Sequence, residues 1–372
     1  MADITIPSEL LPADGRFGCG PSKVRGAQLD FLGSLQPGVL GTSHRQAPVK
    51  DLVGSVRSGL AELFRAPEGY EVLLANGGAT TFWDSAVHSL IGRRSQHLSF
   101  GEFGAKFAKA AQAAPFLEEP DVRVADAGSR AELAAADGVD VYAYPQNETS
   151  TGVMAPVRRA AGDEGSLTIV DATSGAGGID FDANQADVYY FSPQKNFASD
   201  GGIWFALVSP AAIERIELLT GGDRYIPETL NLAGALENSL KNQTLNTPAV
   251  ATLAMMDEQI RWINDNGGLA WAAARTAESS GLLYDWAERS EVATPFVANP
   301  EHRSQVVVTI DFDERIDASA ISKALRANGV VDTEPYRKLG RNQLRIATFT
   351  AIDPDDVRAL IASIDYVLER IA

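Results

Sequence analysis

Residues 186–208 read ADVYYFSPQKNFASDGGIWFALV, and the parsing of this stretch decides the fold. Two apolar runs, Val188 to Phe191 and Ile203 to Val208, have the length and composition of buried strands. A polar turn between them carries one lysine, Lys195, among the turn formers Ser192, Pro193, Gln194 and Asn196. The amine therefore stands at a strand end, where α/β sheets collect ligands. Upstream, LTIVDA closes another apolar run on Asp171. An amine able to form a Schiff base and a carboxylate able to keep a pyridinium nitrogen protonated are what pyridoxal 5'-phosphate requires of a protein. Neither residue is decisive alone, because turn lysines are usually solvated and an aspartate after a strand often caps the next turn.

The flanking segments add to the pair. Glu71 to Ala75 (EVLLA) reads as a strand, Asn76-Gly77-Gly78 as a tight turn, and Ala79 onward (ATTFWDSAVHSLI) as a helix with Phe82, Val87 and Leu90 inward. Strand, glycine turn and helix make a phosphate cradle: unpaired N–H groups and the helix dipole favour an anion, and glycine lets it approach. The spacing matches neither a Walker loop nor a dinucleotide fingerprint. In SFGEFGAKFAKAAQAA, Phe100 and Phe103 lie at a strand-to-helix turn. A ring there is placed to stack on a flat cofactor, although core packing is the commoner fate. VDVYAYPQNETSTGV gives a strand followed by a polar segment, Gln146 to Thr151, with hydroxyls at Thr149 to Thr151 for a cofactor's phenolic oxygen or phosphate. The alternation of strands with helices from residue 70 to 210 predicts a mostly parallel sheet covered on both faces.

Residues 1–15 show no periodicity and read as an arm. The glycine-rich FGCGPSKVR follows, and then GTSHRQAPVKDL, in which Pro48 begins a helix with Val49, Leu52, Val53, Val56, Leu60, Leu63 and Phe64 on its buried face. His44 and Arg45, just before it, are either an anion site at the helix start or a solvated cap. Residues 223–250 read as a long polar loop of functional or interfacial use. A helix from about Pro248 to Ile263 leads to NDNGG at 264–268, the expected domain boundary. Beyond it the order is helix, strand (Gln305 to Phe312), helix (Ala318 to Asn328), two strands, the second from Gln343 to Thr348, and a helix (Pro354 to Ile371), a two-layer α+β unit. YRKLGRNQLR gathers Arg337, Lys338, Arg341 and Arg345 with no acid among them. Arg345 opens an apolar strand, a position suited to bidentate anion recognition, whereas a solvated loop is the ordinary fate of the others.

At 372 residues, 45% hydrophobic and 22% charged, the chain is long enough for two domains and a sizeable core. A formal charge of −17 argues against nucleic acid or an anionic membrane as partner, so an anionic substrate must meet a local cationic cluster. The single cysteine, Cys19, excludes an intrachain disulfide and a cysteine-cluster metal site. With no long apolar run and an acidic N-terminal segment, the expectation is a soluble cytoplasmic protein with no metal.

Five tracts in order, FGCGPSKVR, GTSHR, NGGATTFW, PQNET and SPQKN, together with Asp171 and Lys195, resemble the phosphoserine aminotransferases of the class V, fold-type I group, the actinobacterial branch above all. The resemblance implies an α/β large domain at 16–264 with a mostly parallel sheet of the seven-stranded type. It also implies a smaller α+β domain made of 1–15 and 265–372. It implies that Lys195 binds pyridoxal 5'-phosphate covalently and then moves the substrate proton, while Asp171 holds the pyridinium. Ala79 and Thr80 would take the phosphate with Gln194 beside it, Phe103 would stack on the ring where relatives often carry tryptophan, and Thr149 would hydrogen-bond the cofactor. Asn246 and Thr247 would reach the phosphate from the second subunit of a homodimer. Arg45 would grip the substrate carboxylate, with His44, Arg341 and Arg345 as further anion ligands; Thr80 stands where many members carry arginine. The implied reaction takes the amino group of L-glutamate to 3-phosphohydroxypyruvate in serine biosynthesis, with 4-phosphohydroxy-L-threonine in pyridoxine biosynthesis as a second use. An alanine-glyoxylate type aminotransferase or a cysteine desulfurase would share Asp171 and Lys195. The desulfurase needs a mobile cysteine, and Cys19 lies in an early glycine-rich loop.

Overall fold

The computed structural model describes residues 4–35 and 38–371; residues 1–3 of the expected arm lie outside this set. After a single 3-10 turn come α1 (Gly26–Ser34) and α2 (Ala47–Leu63). Pro48 sits in the first turn of α2, where its missing N–H costs nothing, and Val49, Leu52, Val53, Val56, Leu60 and Leu63 are buried along one face. Next come β1 (Glu71–Asn76), α3 (Ala79–Ser89), β2 (Ser95–Ser99), α4 (Glu102–Ala113) and β3 (Asp121–Val124), alternating as expected.

From there the expected alternation fails. β4 (Val141–Pro145), a small ribbon of β5 (Asn147–Glu148) and β6 (Val153–Met154), β7 (Leu167–Asp171), β8 (Val188–Phe191) and β9 (Ile203–Val208) succeed one another without an intervening α-helix. They still complete a seven-stranded sheet in the order β1-β9-β8-β7-β4-β2-β3. It is parallel from β8 through β3, while β9 runs antiparallel to both neighbours. The crossovers need no helices of their own because other segments cover the sheet. α5 (Pro210–Thr220), α6 (Leu232–Leu240) and α7 (Val250–Asp265) follow β9. One face packs Tyr189, Phe191, Phe205 and Leu207 against α2 and α7. The other packs Val188, Tyr190, Trp204 and Ala206 against α3, α4, α5 and α6. Successive residues of β8 and β9 thus divide between the two cores, as the two-residue repeat of a strand dictates.

Helix α6 lies inside the 223–250 stretch read as a loop. It buries only Leu232, Leu236 and Ser239, a seam too short to stand out as a periodic signal. The C-terminal part contains α8 (Gly268–Arg289), β10 (Ala293–Pro295), β11 (Val307–Phe312), α9 (Ala318–Ala327), β12 (Gln343–Ala347) and α10 (Pro354–Ile371). Its three strands form an antiparallel sheet in the order β10-β11-β12. The strand expected just after α9 is instead an isolated bridge from Val331 to Arg16. The N-terminal segment fills that place: Val331 N–H donates to Gly15 O at 2.7 Å, and Ala347 N–H to Phe17 O at 3.0 Å. Phe17 and Cys19 accordingly join the core formed with β11, α9, β12 and α10. Within the 264–268 stretch a turn at 266–267 separates α7 from α8, and α8 contributes Leu269 and Ala272 to one core and Leu283, Tyr284, Trp286 and Ala287 to another. Among the described residues no helix is long and apolar enough to cross a membrane.

Candidate active site

Five chain segments converge at the C-terminal ends of β7 and β8. The turn after β8 projects Lys195 into a cleft of about 220 Å³, whose wall also holds Ala79, Thr80, Phe103, Thr149, Asp171 and Gln194. Lys195 Nζ donates to the carbonyl of Cys19 at 2.6 Å. A Cβ on Gly20 would fall 1.9 Å from that nitrogen, and Gly20 has φ +135°, so only glycine lets the loop pass the amine. Burial lowers the Lys195 pKa to about 8; the negative potential from Cys19 opposes this shift, the nearby Arg345 cation adds to it, and Asp171 opposes it.

Asp171 ends β7 and is buried. Its carboxylate accepts the Thr173 N–H at 2.9 Å and the Trp83 indole N–H at 3.3 Å. Trp83 also donates to the Tyr190 hydroxyl at 2.7 Å. Burial pushes the Asp171 carboxyl above the ordinary range, and these donors partly offset it. A cationic ring nitrogen facing the carboxylate would stabilise its ionised form further.

The walls fit a polar cofactor. Thr173 Oγ1, Asn147 Oδ1 and Gln194 Oε1 of the wall, with Ser192 Oγ and Arg345 Nε nearby, are buried and have no hydrogen-bond partner among the described residues. Most buried polar groups find one, so this local concentration marks a ligand surface. Gly78, the N-cap of helix α3, offers no side-chain cap, which leaves N–H groups at Ala79 and Thr80 for a phosphate. Trp83, Asn147, Thr173 and Ser174 also line the cleft, although the sequence reading assigned them no role. Trp83 lies within the NGGATTFW tract, and its place one helical turn after Ala79 was the available signal.

Other expected site residues lie apart from the Lys195 cleft within this chain. Arg345 is beside it: a guanidinium N–H reaches the Thr149 carbonyl at 3.0 Å, and the cation sits 5.3 Å from the Tyr336 ring centre. Arg341 is paired with Asp311 through a bidentate contact and sits over Phe296, so its charge is already partnered. His44 Nδ1 is 3.1 Å from Thr247 Oγ1, and Arg45 binds Gln243 at 2.9 Å. Arg45, Asn246 and Thr247 are exposed. None of these four, nor Arg341, lines the cleft.

Comparison with known proteins follows the same lines. The family model described as aminotransferase class-V matches residues 28–333. The chain belongs to the class-V aminotransferase family. As a class-V aminotransferase it is a transaminase dependent on pyridoxal phosphate, acting on amino-acid and keto-acid substrates. It is 60% identical to the phosphoserine aminotransferase of Nocardioides sp. over 99% of both chains. To that of Corynebacterium glutamicum it is also 60% identical, over 98% of this chain and 97% of the relative. Among solved structures, the phosphoserine aminotransferase from Cytophaga hutchinsonii superposes with a TM-score of 0.87 at 22% identity, covering 95% of this chain and 99% of the other. The alanine–glyoxylate aminotransferase from Nostoc sp. superposes at 0.76 and 19% identity, covering 99% and 97%. These two likenesses establish the fold-type I architecture of class-V aminotransferases and do not separate their substrates.

Proposed function

We propose that this enzyme is a phosphoserine transaminase that moves the amino group of L-glutamate to 3-phosphohydroxypyruvate, releasing 2-oxoglutarate and O-phospho-L-serine. The observation that carries the reading is the 60% identity, over nearly the full length, to chains named for that activity. The order is ping-pong: 2-oxoglutarate leaves before the phosphorylated keto acid enters. When bound, pyridoxal phosphate supplies an aldehyde carbon for the amino group and an electron-withdrawing ring.

The residues of the chain do the rest. Lys195, with its pKa near 8, would hold the cofactor through its amine, and the same amine, when free, would take a proton from the substrate Cα and return one. Asp171 would keep the ring nitrogen protonated, and Trp83 and Thr173 fix the carboxylate by their hydrogen bonds. Phe103 would stack on the ring, Thr149 would reach its phenolic oxygen, and Ala79 and Thr80, with Gln194 beside them, would take the phosphate at the start of α3. Arg345, adjacent to Thr149, holds the substrate carboxylate; this transfers to it the grip that the resemblance gave to Arg45. His44, Arg45, Asn246 and Thr247 form a surface group that serves the other subunit's cleft in a homodimer, and Arg337 and Lys338 draw in the second anionic group. The same site takes 4-phosphohydroxy-L-threonine chemistry, and the enzyme works in the cytoplasm.

Half-reactions on the purified protein test this. Glutamate should abolish the visible absorption of the bound cofactor, and 3-phosphohydroxypyruvate, but not pyruvate or glyoxylate, should restore it. Restoration by glyoxylate alone would favour the alanine–glyoxylate type of reaction, for which the shared fold is the supporting observation.

A further inference from the structure

Glu148 has no part in the chemistry above, yet it lies in the segment that reaches the cleft. Its side chain is fully buried. One carboxylate oxygen accepts the N–H groups of Phe103 at 3.0 Å and Gly104 at 3.1 Å. The other accepts the Ser150 N–H at 3.2 Å and the Ser150 hydroxyl at 2.7 Å. Ser150 Oγ in turn accepts the Glu102 N–H at 3.0 Å. The first turn of α4 therefore receives its cap from 148 and 150, because its own N-cap, Gly101, has no side chain to give. A Cβ on Gly101 would lie 2.3 Å from Glu148 Cγ, so glycine is what admits the carboxylate this close. Thr149, between the two capping residues, faces the other way: its hydroxyl donates to Ser174 at 2.8 Å and its carbonyl accepts from Arg345 at 3.0 Å.

We propose that Glu148 is a positioning residue that fixes the first turn of α4, and with it the Phe103 ring, at a set height over the cofactor relative to Thr149 and Arg345. The inference rests on the reading of Phe103 as the stacking residue. A carboxylate suits the place because every group facing it is a donor, and an amide would turn its own N–H toward one of them.

The test is a double-mutant cycle on reconstituted holoenzyme. It compares Glu148→Gln, Phe103→Ala and the double variant by the dissociation constant of pyridoxal phosphate, the circular dichroism of the bound cofactor and Tm. Glu148→Gln should weaken cofactor binding about tenfold, and the double variant should bind no more weakly than Phe103→Ala alone. A lower Tm with wild-type affinity and dichroism would overturn the inference, as would an effect that adds in full to that of Phe103→Ala. Wild-type affinity in Phe103→Ala would remove the stacking reading itself, and the inference with it. Should Glu148→Gln fail to fold, Ser150→Ala, which takes one donor and one acceptor from the same cap, should give a smaller shift with the same coupling; an additive shift there would overturn the inference.

Discussion

Lys195 is the residue whose ionisation the surroundings change most usefully. Only the neutral amine attacks an aldehyde, and burial brings its pKa down to about 8 from 10.5. In protein stripped of cofactor, the rate of recombination with pyridoxal phosphate should rise with pH and level off above about 8. A rate that keeps climbing toward 10.5 in stopped-flow measurements would contradict the burial argument. Lys195→Ala should remove the visible absorption altogether. Asp171→Asn keeps the shape of the side chain and loses its charge, so kcat should fall about a hundredfold or more with the fold intact by circular dichroism. Activity close to wild type would dissociate Asp171 from the ring nitrogen.

Helix α3 and helix α6 carry glycines with opposite consequences. Gly77, at the turn into α3, has φ +121°, and a Cβ there would lie 2.4 Å from Thr81 Oγ1. Gly77→Ala should lower the unfolding free energy by about 1–3 kcal/mol and weaken cofactor binding, because the same turn aims the N–H groups of α3. Gly234 is inside α6, and a Cβ there would meet nothing within 4 Å among the described residues. Gly234→Ala should stabilise by about 0.5–1 kcal/mol through backbone entropy and leave kcat unchanged. Denaturant titration of both variants checks the signs. α3 was legible because Gly77-Gly78 and an apolar face of several turns coincide. α6 was not, since three buried positions in nine residues do not distinguish a helix from a polar loop.

The whole molecule adds partners and field. His44 and Thr247 meet on the surface of one chain, while Lys195 lines a cleft that includes neither. If the surface group acts in the other subunit, mixing Lys195→Ala with an Asn246→Ala, Thr247→Ala variant should restore about a quarter of wild-type activity, because each mixed dimer regains one intact site. No recovery after subunit exchange would place the group in its own chain's site. With a net charge of −17, attraction of the phosphorylated keto acid depends on the local cations Arg337 and Arg345, Lys338 being shared with Glu102. Raising salt to about 1 M, where the screening length is about 3 Å, should raise KM for that substrate. A KM indifferent to salt would set the cluster aside.

The sequence by itself determined the strands at 188–191 and 203–208, the glycine turn into α3, and the lysine and aspartate at two strand ends. Those signals are local: side-chain periodicity, turn chemistry and the apolar length of a strand are all expressed within a few residues. Only the tertiary structure decided that Trp83 would meet Asp171 across 88 positions of chain, or that Arg345 would reach Thr149 across 196. The same holds for the N-terminal segment, which took the strand place expected after α9, and for the later crossovers, which run without helices. Such contacts depend on strand order and on which distant segments cover each face of the sheet. Competition among remote surfaces for the same burial settles them, and no local window of sequence records its outcome.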